Sequence, residues 1–172
     1  MIRLLALGAL MFASACSPQV ARCDFTHTRE ITFTGGVTAD RVTVRTFGAS
    51  CDKAIGIYEI IDGEGFPIWA WATPLPRAFG DVFKAEEPER VETFLEEWSQ
   101  PAIMTTQTAP EWDQLAPGQT TLDELTYADI RARDLPMLCH FSGTARQTCV
   151  FWEPVAGGAG HLFDRDVEET VE

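Results

Sequence analysis

The chain has little positive charge. Its 172 residues contain 13 Lys and Arg against 26 Asp and Glu, which gives a formal net charge of −13. Phosphate groups would repel so acidic a surface, so the composition argues against nucleic-acid binding. The field of such a surface would instead attract a basic protein partner and speed its association. The solubility of an exported protein explains the same charge without any partner, so both interpretations stay open.

Motifs that mark common active sites and metal sites are also absent from the sequence. It has no Gly-x-Ser-x-Gly turn, His-Glu-x-x-His helix or phosphate-binding glycine loop. It has no Cys-x-x-Cys pair for zinc or thiol chemistry. We interpret each of the three histidines as structural: His27, His140 and His161. A hard cation could bind weakly to four C-terminal carboxylates: Asp164, Asp166, Glu168 and Glu169. A solvated acidic tail starting at Asp164 explains these charges better, so we expect no metal and no cofactor.

The N-terminal apolar run is too short to span a membrane as a helix. Residues 4–12 are apolar, which is nine residues, whereas a transmembrane helix needs about 20. The run follows Arg3 and ends in the small residues Ala13, Ser14 and Ala15, just before Cys16. A positive charge, a short apolar region and small residues at the end are typical of a secretory signal peptide.

The sequence Ala13-Ser14-Ala15-Cys16 resembles the lipobox of bacterial lipoproteins, although the family commonly has Leu where this chain has Ala13. The resemblance covers residues 1–17. It implies that residues 1–15 are removed and that Cys16 carries palmitate-type acyl chains, which anchor the protein to a membrane of the cell envelope. Ser17 follows in place of Asp, which implies the outer membrane, with the domain facing the periplasm. The alternative is an ordinary signal peptide cleaved near Ala15, which would leave Cys16 unmodified.

The remaining chain has the length of one domain. Removing residues 1–15, which hold one Arg and no acid, leaves 157 residues with a net charge of −14. We expect residues 16–22 to be a lipidated tether, and residues 23–172 to be a single globular domain with an acidic C-terminal tail.

An even number of cysteines remains for disulfides once Cys16 is assigned to lipid. Two bridges are expected from Cys23, Cys51, Cys139 and Cys149, because an exported protein folds in an oxidising compartment. Two β-prone runs flank Ser142-Gly143-Thr144, and a hairpin centred on Thr144 places residues 139 and 149 directly opposite each other. That spacing is within disulfide distance, so Cys139 pairs with Cys149 and Cys23 with Cys51.

Alternating β-branched and apolar residues predict a mainly β domain. Strands are predicted at residues 30–34, 41–47, 54–61, 66–73, 102–108 and 161–163, besides the hairpin around Thr144. Residues 54–61 and 66–73 are apolar on both faces, so we expect this hairpin to be central in the sheet and covered on each side. An apolar stripe of Val91, Phe94, Leu95 and Trp98 predicts a helix over residues 86–98. A second, short helix is predicted to begin near residues 121–124. The fold class is therefore small α+β: an antiparallel sheet, sandwich or barrel-like domain with one packed amphipathic helix.

Four aromatic residues form a candidate binding surface: Tyr58, Trp69, Trp71 and Trp152. Trp and Tyr are frequent anchors at interfaces, but a core aromatic cluster explains the same pattern.

Three functions fit these observations, and a non-enzymatic one is favoured. The first is a membrane-anchored envelope lipoprotein with a binding or structural role. The second is an inhibitor of a cationic cell-wall-degrading enzyme, because lysozyme-inhibitor-type lipoproteins are also β-rich, disulfide-bonded and exported; the chain has no diagnostic motif of theirs. The third is a periplasmic hydrolase whose site is assembled from residues distant in sequence.

Overall fold

In the computed structural model, which describes residues 23–83 and 88–167, two antiparallel four-stranded sheets form the frame of the domain. The first sheet contains, in order, β1 (Thr26–Ile31), β2 (Asp40–Phe47), β3 (Ile55–Ile61) and β4 (Pro67–Pro74). The second contains β5 (Ala102–Thr105), β6 (Pro136–Gly143), β7 (Arg146–Glu153) and β8 (Gly158–Asp166). The helices are α1 (Leu75–Phe79), α2 (Pro88–Trp98) and α3 (Glu124–Ala132). The predicted mainly β, small α+β fold is confirmed.

The main core lies between the two sheets and is closed by α1 and α2. Period-two alternation along β2 and β3 turns one set of side chains inward, where they meet the apolar stripe of α2 and one face of the second sheet. The buried members include Val42, Val44, Tyr58, Ile60, Leu75, Phe79, Val91, Leu95, Trp98, Leu138 and Val150. One core shared by both sheets makes the arrangement a sandwich.

A second, smaller core covers the other face of the second sheet. Helix α3 packs there through Tyr127 and Ile130. The sheet contributes Met137, Cys139, Cys149, Phe151, Leu162 and Phe163. The second sheet is therefore covered by protein on both faces.

The strongest helix prediction is confirmed where the structure describes it. Helix α2 buries Val91, Leu95 and Trp98, and Phe94 packs beside them. The helix is described from Pro88 onward, so the first two residues of the predicted span lie outside the described residues. The shorter predicted helix is α3, whose N-cap is Asp123 rather than Thr121: the Asp123 carboxylate accepts a hydrogen bond from the Thr126 backbone N–H at 2.9 Å.

Both disulfides are present with the pairing that the sequence predicts. Cys139 lies directly opposite Cys149 in the β6–β7 ladder, and the two are bonded, with Cα atoms 4.0 Å apart. Cys23 bonds to Cys51, with Cα atoms 4.9 Å apart. The first bridge pins two neighbouring strands, and the second fastens the start of the described chain to the end of the β1–β2 hairpin.

The prediction that the β3–β4 hairpin is central and covered on both faces is wrong. Strand β4 is the last in the hydrogen-bonded order of its sheet. The outward side chains of the hairpin are exposed or half-buried, among them Ile55, Ile57, Ala70 and Ala72. An apolar outward face is thus a surface feature here, because alternation alone does not show what covers a face.

Several boundaries also differ from the prediction. Strand β1 begins at Thr26 and ends at Ile31, so residues 32–34 belong to the following turn. Strand β8 runs from Gly158 to Asp166, so residues 158–160 are strand rather than loop. Asp164 and Asp166 are therefore part of the sheet and not of a solvated tail. Helix α1, directly after Pro74, was not predicted.

Candidate functional site

Three of the four predicted aromatic residues meet inside the domain. Tyr58 on β3 is directly opposite Trp71 on β4, and Trp69 lies two residues along the same strand. Tyr58 has no exposed surface, whereas Trp69 and Trp71 are half-buried and pack against the main core. Trp152 is on β7 and half-buried. Tyr58 therefore belongs to the core, and the four residues do not form one continuous surface.

His140 on β6 joins this aromatic group from the other sheet. Its ring stacks on Tyr58 with centroids 4.1 Å apart. The Trp69 indole N–H donates to His140 Nε2 at 3.3 Å, and His140 Nδ1 lies 3.1 Å from the Phe141 carbonyl oxygen. Because an indole N–H can only donate, Nε2 accepts and the proton sits on Nδ1, which donates to that carbonyl.

Burial determines the charge state of both polar members of this group. It lowers the pKa of His140 to about 4, so the imidazole is neutral near pH 7. It raises the pKa of Tyr58, whose hydroxyl has no hydrogen-bond partner among the described residues. A sealed, neutral imidazole holds the two sheets together but is out of reach of a substrate in solvent.

A second polar group surrounds Asp164 on β8. Thr148 Oγ1 donates to Asp164 Oδ1 at 2.7 Å, and Arg146 donates to Oδ2 at 2.8 Å. His161 Nε2 lies 3.4 Å from Oδ1 without forming a hydrogen bond. Burial alone would raise the pKa of Asp164, but the bonds from Thr148 and Arg146 outweigh it and leave the pKa below its usual range. The threonine donates to the carboxylate and not to the histidine, so this is not the nucleophile–base geometry of a hydrolase.

The described residues contain neither a ready metal-binding group nor a membrane-spanning helix. Within them, no group of three or more His, Cys, Asp or Glu side chains is placed to hold a metal ion. No helix among these residues is long and apolar enough to cross a membrane.

An acidic groove of about 580 Å³ runs between β1 and α2. Four carboxylate residues line it: Asp24, Glu89, Glu92 and Glu96. Three of them lie at spacings of three and four on α2, which places them on one helix face, away from buried Val91. The spacing of these glutamates is readable in the sequence, but the strand that packs beside their helix face is not, so the sequence did not predict the groove.

A second groove, of about 520 Å³, lies among the turns at the opposite end of the first sheet from Cys23. Trp152 lines it together with the β1–β2 turn and the β3–β4 turn. We call it the distal groove. Asp40 holds the two turns together, because its carboxylate accepts hydrogen bonds from the backbone N–H groups of Thr34 at 2.6 Å and Gly63 at 3.1 Å. Val37 and Val155, on turns at this end, are almost fully exposed.

Comparisons with protein-family models, with curated proteins and with solved structures found no match to this chain.

Proposed function

We propose that this protein is a lipid-anchored envelope protein with a non-enzymatic, binding or structural role. The observation that carries the proposal is the N-terminal segment: a charged start, a short apolar run and Ala13-Ser14-Ala15 before Cys16. Acyl chains on Cys16, more than one of them, supply the two or more signals that stable membrane attachment requires. The same segment argues for the outer membrane and a periplasm-facing domain, because no Asp follows Cys16.

The start of the folded domain supports this proposal. Cys23 is buried and bonded to Cys51, and its backbone pairs with Gly48. The described chain therefore starts seven positions after Cys16 and is fastened covalently at that point. Two disulfides are also what an oxidising compartment outside the cytoplasm permits.

The chemistry of the described polar groups supports binding over catalysis. The His140 ring is occupied by its contacts with the first sheet, where Nε2 accepts from Trp69. The Asp164 carboxylate is occupied by hydrogen bonds from Thr148 and Arg146. The open features are grooves with charged or apolar walls, which suit recognition of a partner.

Membrane fractionation tests the anchor. Cys16→Ala removes the sulfur atom that would carry the diacylglyceryl group, so the variant should leave the membrane fraction or accumulate with residues 1–15 attached. Ser17→Ala, a neighbouring substitution that keeps the cysteine, should fractionate as the unaltered protein does. Membrane retention of a processed Cys16→Ala protein would contradict the proposed anchor.

An inhibitor of a cationic cell-wall-degrading enzyme is a second candidate, favoured by the acidic groove. Glu89 and Glu92 place negative charge along an open channel beside β1, on a chain whose net charge is already −13. Such a field raises the association rate with a basic protein, and salt screens it.

A lysozyme is a suitable basic probe for this candidate. The full mature protein should bind it and slow its hydrolysis of peptidoglycan, with an association rate that falls as salt rises. Glu89→Gln with Glu92→Gln should lower that rate more than Glu64→Gln with Glu124→Gln, two exposed glutamates outside the groove. Equal effects of the two pairs, or uninhibited hydrolysis, would overturn the inhibitor candidate and leave the anchored protein as the proposal.

A further inference from the structure

Three apolar residues form an exposed row across the outer face of the first sheet. Phe47 is directly opposite Ile55, and Ile55 is directly opposite Pro74. Phe47 is 63% exposed and Ile55 is 44% exposed. In the next row, half-buried Ile57 lies opposite exposed Ala72. These five residues are contiguous, and we call them the tether-end patch.

The patch lies at the end of the sheet where the described chain begins. Gly48, next to Phe47, pairs with Cys23 through a backbone hydrogen bond of 3.1 Å. The Cys23–Cys51 bridge fixes that point covalently, a few residues before Ile55. Cys23 follows Cys16 by seven positions, and a chain of that length spans at most about 25 Å. A lipid on Cys16 therefore holds this end of the domain close to the bilayer.

The charges around the patch are of both signs. Arg45, Lys53 and Arg77 are exposed at this end, as are Asp24 and Asp52. The acidic groove opens at the same end, beside Asp24, but it lies between β1 and α2 and not on the outer face of the sheet that carries the patch. A contiguous exposed apolar surface is typical of a site that contacts a membrane or another protein.

We propose that the tether-end patch rests against the head-group region of the bilayer and orients the domain. The proposal rests on the lipid anchor at Cys16 argued above. The patch could be covered by the bilayer, by a second copy of this chain or by another protein. Of these, only the bilayer is kept next to the patch at all times by the tether, which gives it a high effective concentration. Phe47 and Ile55 are side chains that an interface of acyl chains and head groups accepts.

This orientation determines what the rest of the domain can reach. Strand β3 leads from Ile55 in the patch to Ile61 near the distal groove, and seven residues of strand span about 23 Å. The distal groove, with Trp152 and exposed Val37, then faces away from the bilayer. A partner in the periplasm would meet that end of the domain first.

Nuclear magnetic resonance with a paramagnetic lipid tests the orientation. The full mature protein, purified from membranes, is placed in vesicles of phosphatidylethanolamine and phosphatidylglycerol that contain a lipid with a paramagnetic head group. Signals of Phe47 and Ile55 should lose intensity, while those of Val37 and Val155 keep it. Phe47→Ser with Ile55→Ser should reduce this difference to what the tether alone produces, and the matched exposed pair Val37→Ser with Val155→Ser should preserve it in full.

Three results would overturn the proposal. Equal loss at both ends would show that the domain has no fixed orientation. Greater loss at Val37 and Val155 would show the reverse one. Intact patch signals together with cross-links between copies through Phe47 would show that a second copy covers the patch.

A failed anchor is distinguishable from a failed orientation. Mass analysis of the purified protein shows whether Cys16 carries lipid. If it does not, the proposed function fails on that measurement alone. The same resonance experiment, on mature chain whose Cys16 thiol is coupled to a maleimide lipid, then decides whether the patch faces the bilayer.

Discussion

At the residue scale, His140 is the polar link between the two sheets. It lies on β6, yet it stacks on Tyr58 and accepts a hydrogen bond from Trp69, both on the first sheet. The arrangement needs the neutral imidazole, because a protonated Nε2 could no longer accept from the indole N–H. Acid should therefore weaken the contact between the sheets.

The pH dependence of stability follows from the lowered pKa of His140. That pKa is about 4 in the folded protein against 6.5 for a free histidine. The unfolded chain thus binds the proton more readily, and stability is full above about pH 6.5 and falls as the pH drops toward 4. The loss attributable to His140 is at most about 3 kcal/mol.

Urea unfolding at neutral and acidic pH measures this loss. His140→Phe keeps a ring in the core and should show a smaller drop in the free energy of unfolding between about pH 7 and about pH 4.5. His27→Gln, at a half-buried histidine outside the hydrogen bond to Trp69, should keep the full drop. An unchanged drop in His140→Phe would show that protonation of His140 does not cause the loss of stability in acid.

At the element scale, Asp40 fastens two turns to each other. Its carboxylate accepts from Phe33 and Thr34 in the β1–β2 turn and from Gly63 in the β3–β4 turn. Asp40 is 1% exposed, so its carboxylate depends on these donors in place of water. A Cβ at Gly63 would collide with the Thr38 backbone, so the close approach of the turns also needs glycine there.

Removing the Asp40 carboxylate should loosen both turns. Asp40→Ala leaves the buried N–H of Phe33 and three part-buried donors of Thr34 and Gly63 without their acceptor, and should cost on the order of 3 kcal/mol of unfolding free energy. Faster amide hydrogen exchange at residues 33–34 and 63 should accompany the loss. Glu64→Ala, at an exposed side chain of the same turn, should change stability by less than about 0.5 kcal/mol. Equal effects of the two substitutions would show that Asp40 does not hold the turns.

The two disulfides should differ in their contribution to stability. Each native bridge is worth about 2–5 kcal/mol, and the entropic model gives more to the longer loop. Cys23 and Cys51 are 28 residues apart and Cys139 and Cys149 are 10 apart, so Cys23→Ala with Cys51→Ala should cost more than the other pair. Urea unfolding of the two double variants checks the order.

Peptide mapping without reductant should find both bridges, and a peptide linking Cys23 to Cys139 would contradict the pairing.

Local sequence patterns predicted the strands and helices well, but they did not predict which other elements pack against them. The turn at Ser142-Gly143-Thr144 predicted the register that pairs Cys139 with Cys149, and the period of 3.6 predicted the buried stripe of α2. What covers the outer face of β3–β4 depends on the path of distant elements, which local alternation does not encode. The roles of Asp40 and His140 were equally invisible, because Gly63 lies 23 residues from Asp40 and Trp69 lies 71 residues from His140 in sequence.

At the scale of the whole molecule, the domain has two different ends. The entry end carries Cys23, the Cys23–Cys51 bridge and the exposed apolar row with Phe47. The other end carries the turns held by Asp40 and the distal groove with Trp152. The lipid proposed at Cys16 would orient the domain, with the end that carries Cys23 toward the bilayer and the distal groove toward the periplasm.

The intact mass of the protein extracted from membranes tests the central claim most directly. The account predicts a chain that begins at Cys16, lacks residues 1–15, and is heavier than residues 16–172 by a diacylglyceryl group and an N-linked acyl chain. Reduction should leave that added mass in place and add only the four hydrogens of two opened disulfides. A chain with an unmodified Cys16, or one that retains residues 1–15 without lipid, would contradict the account.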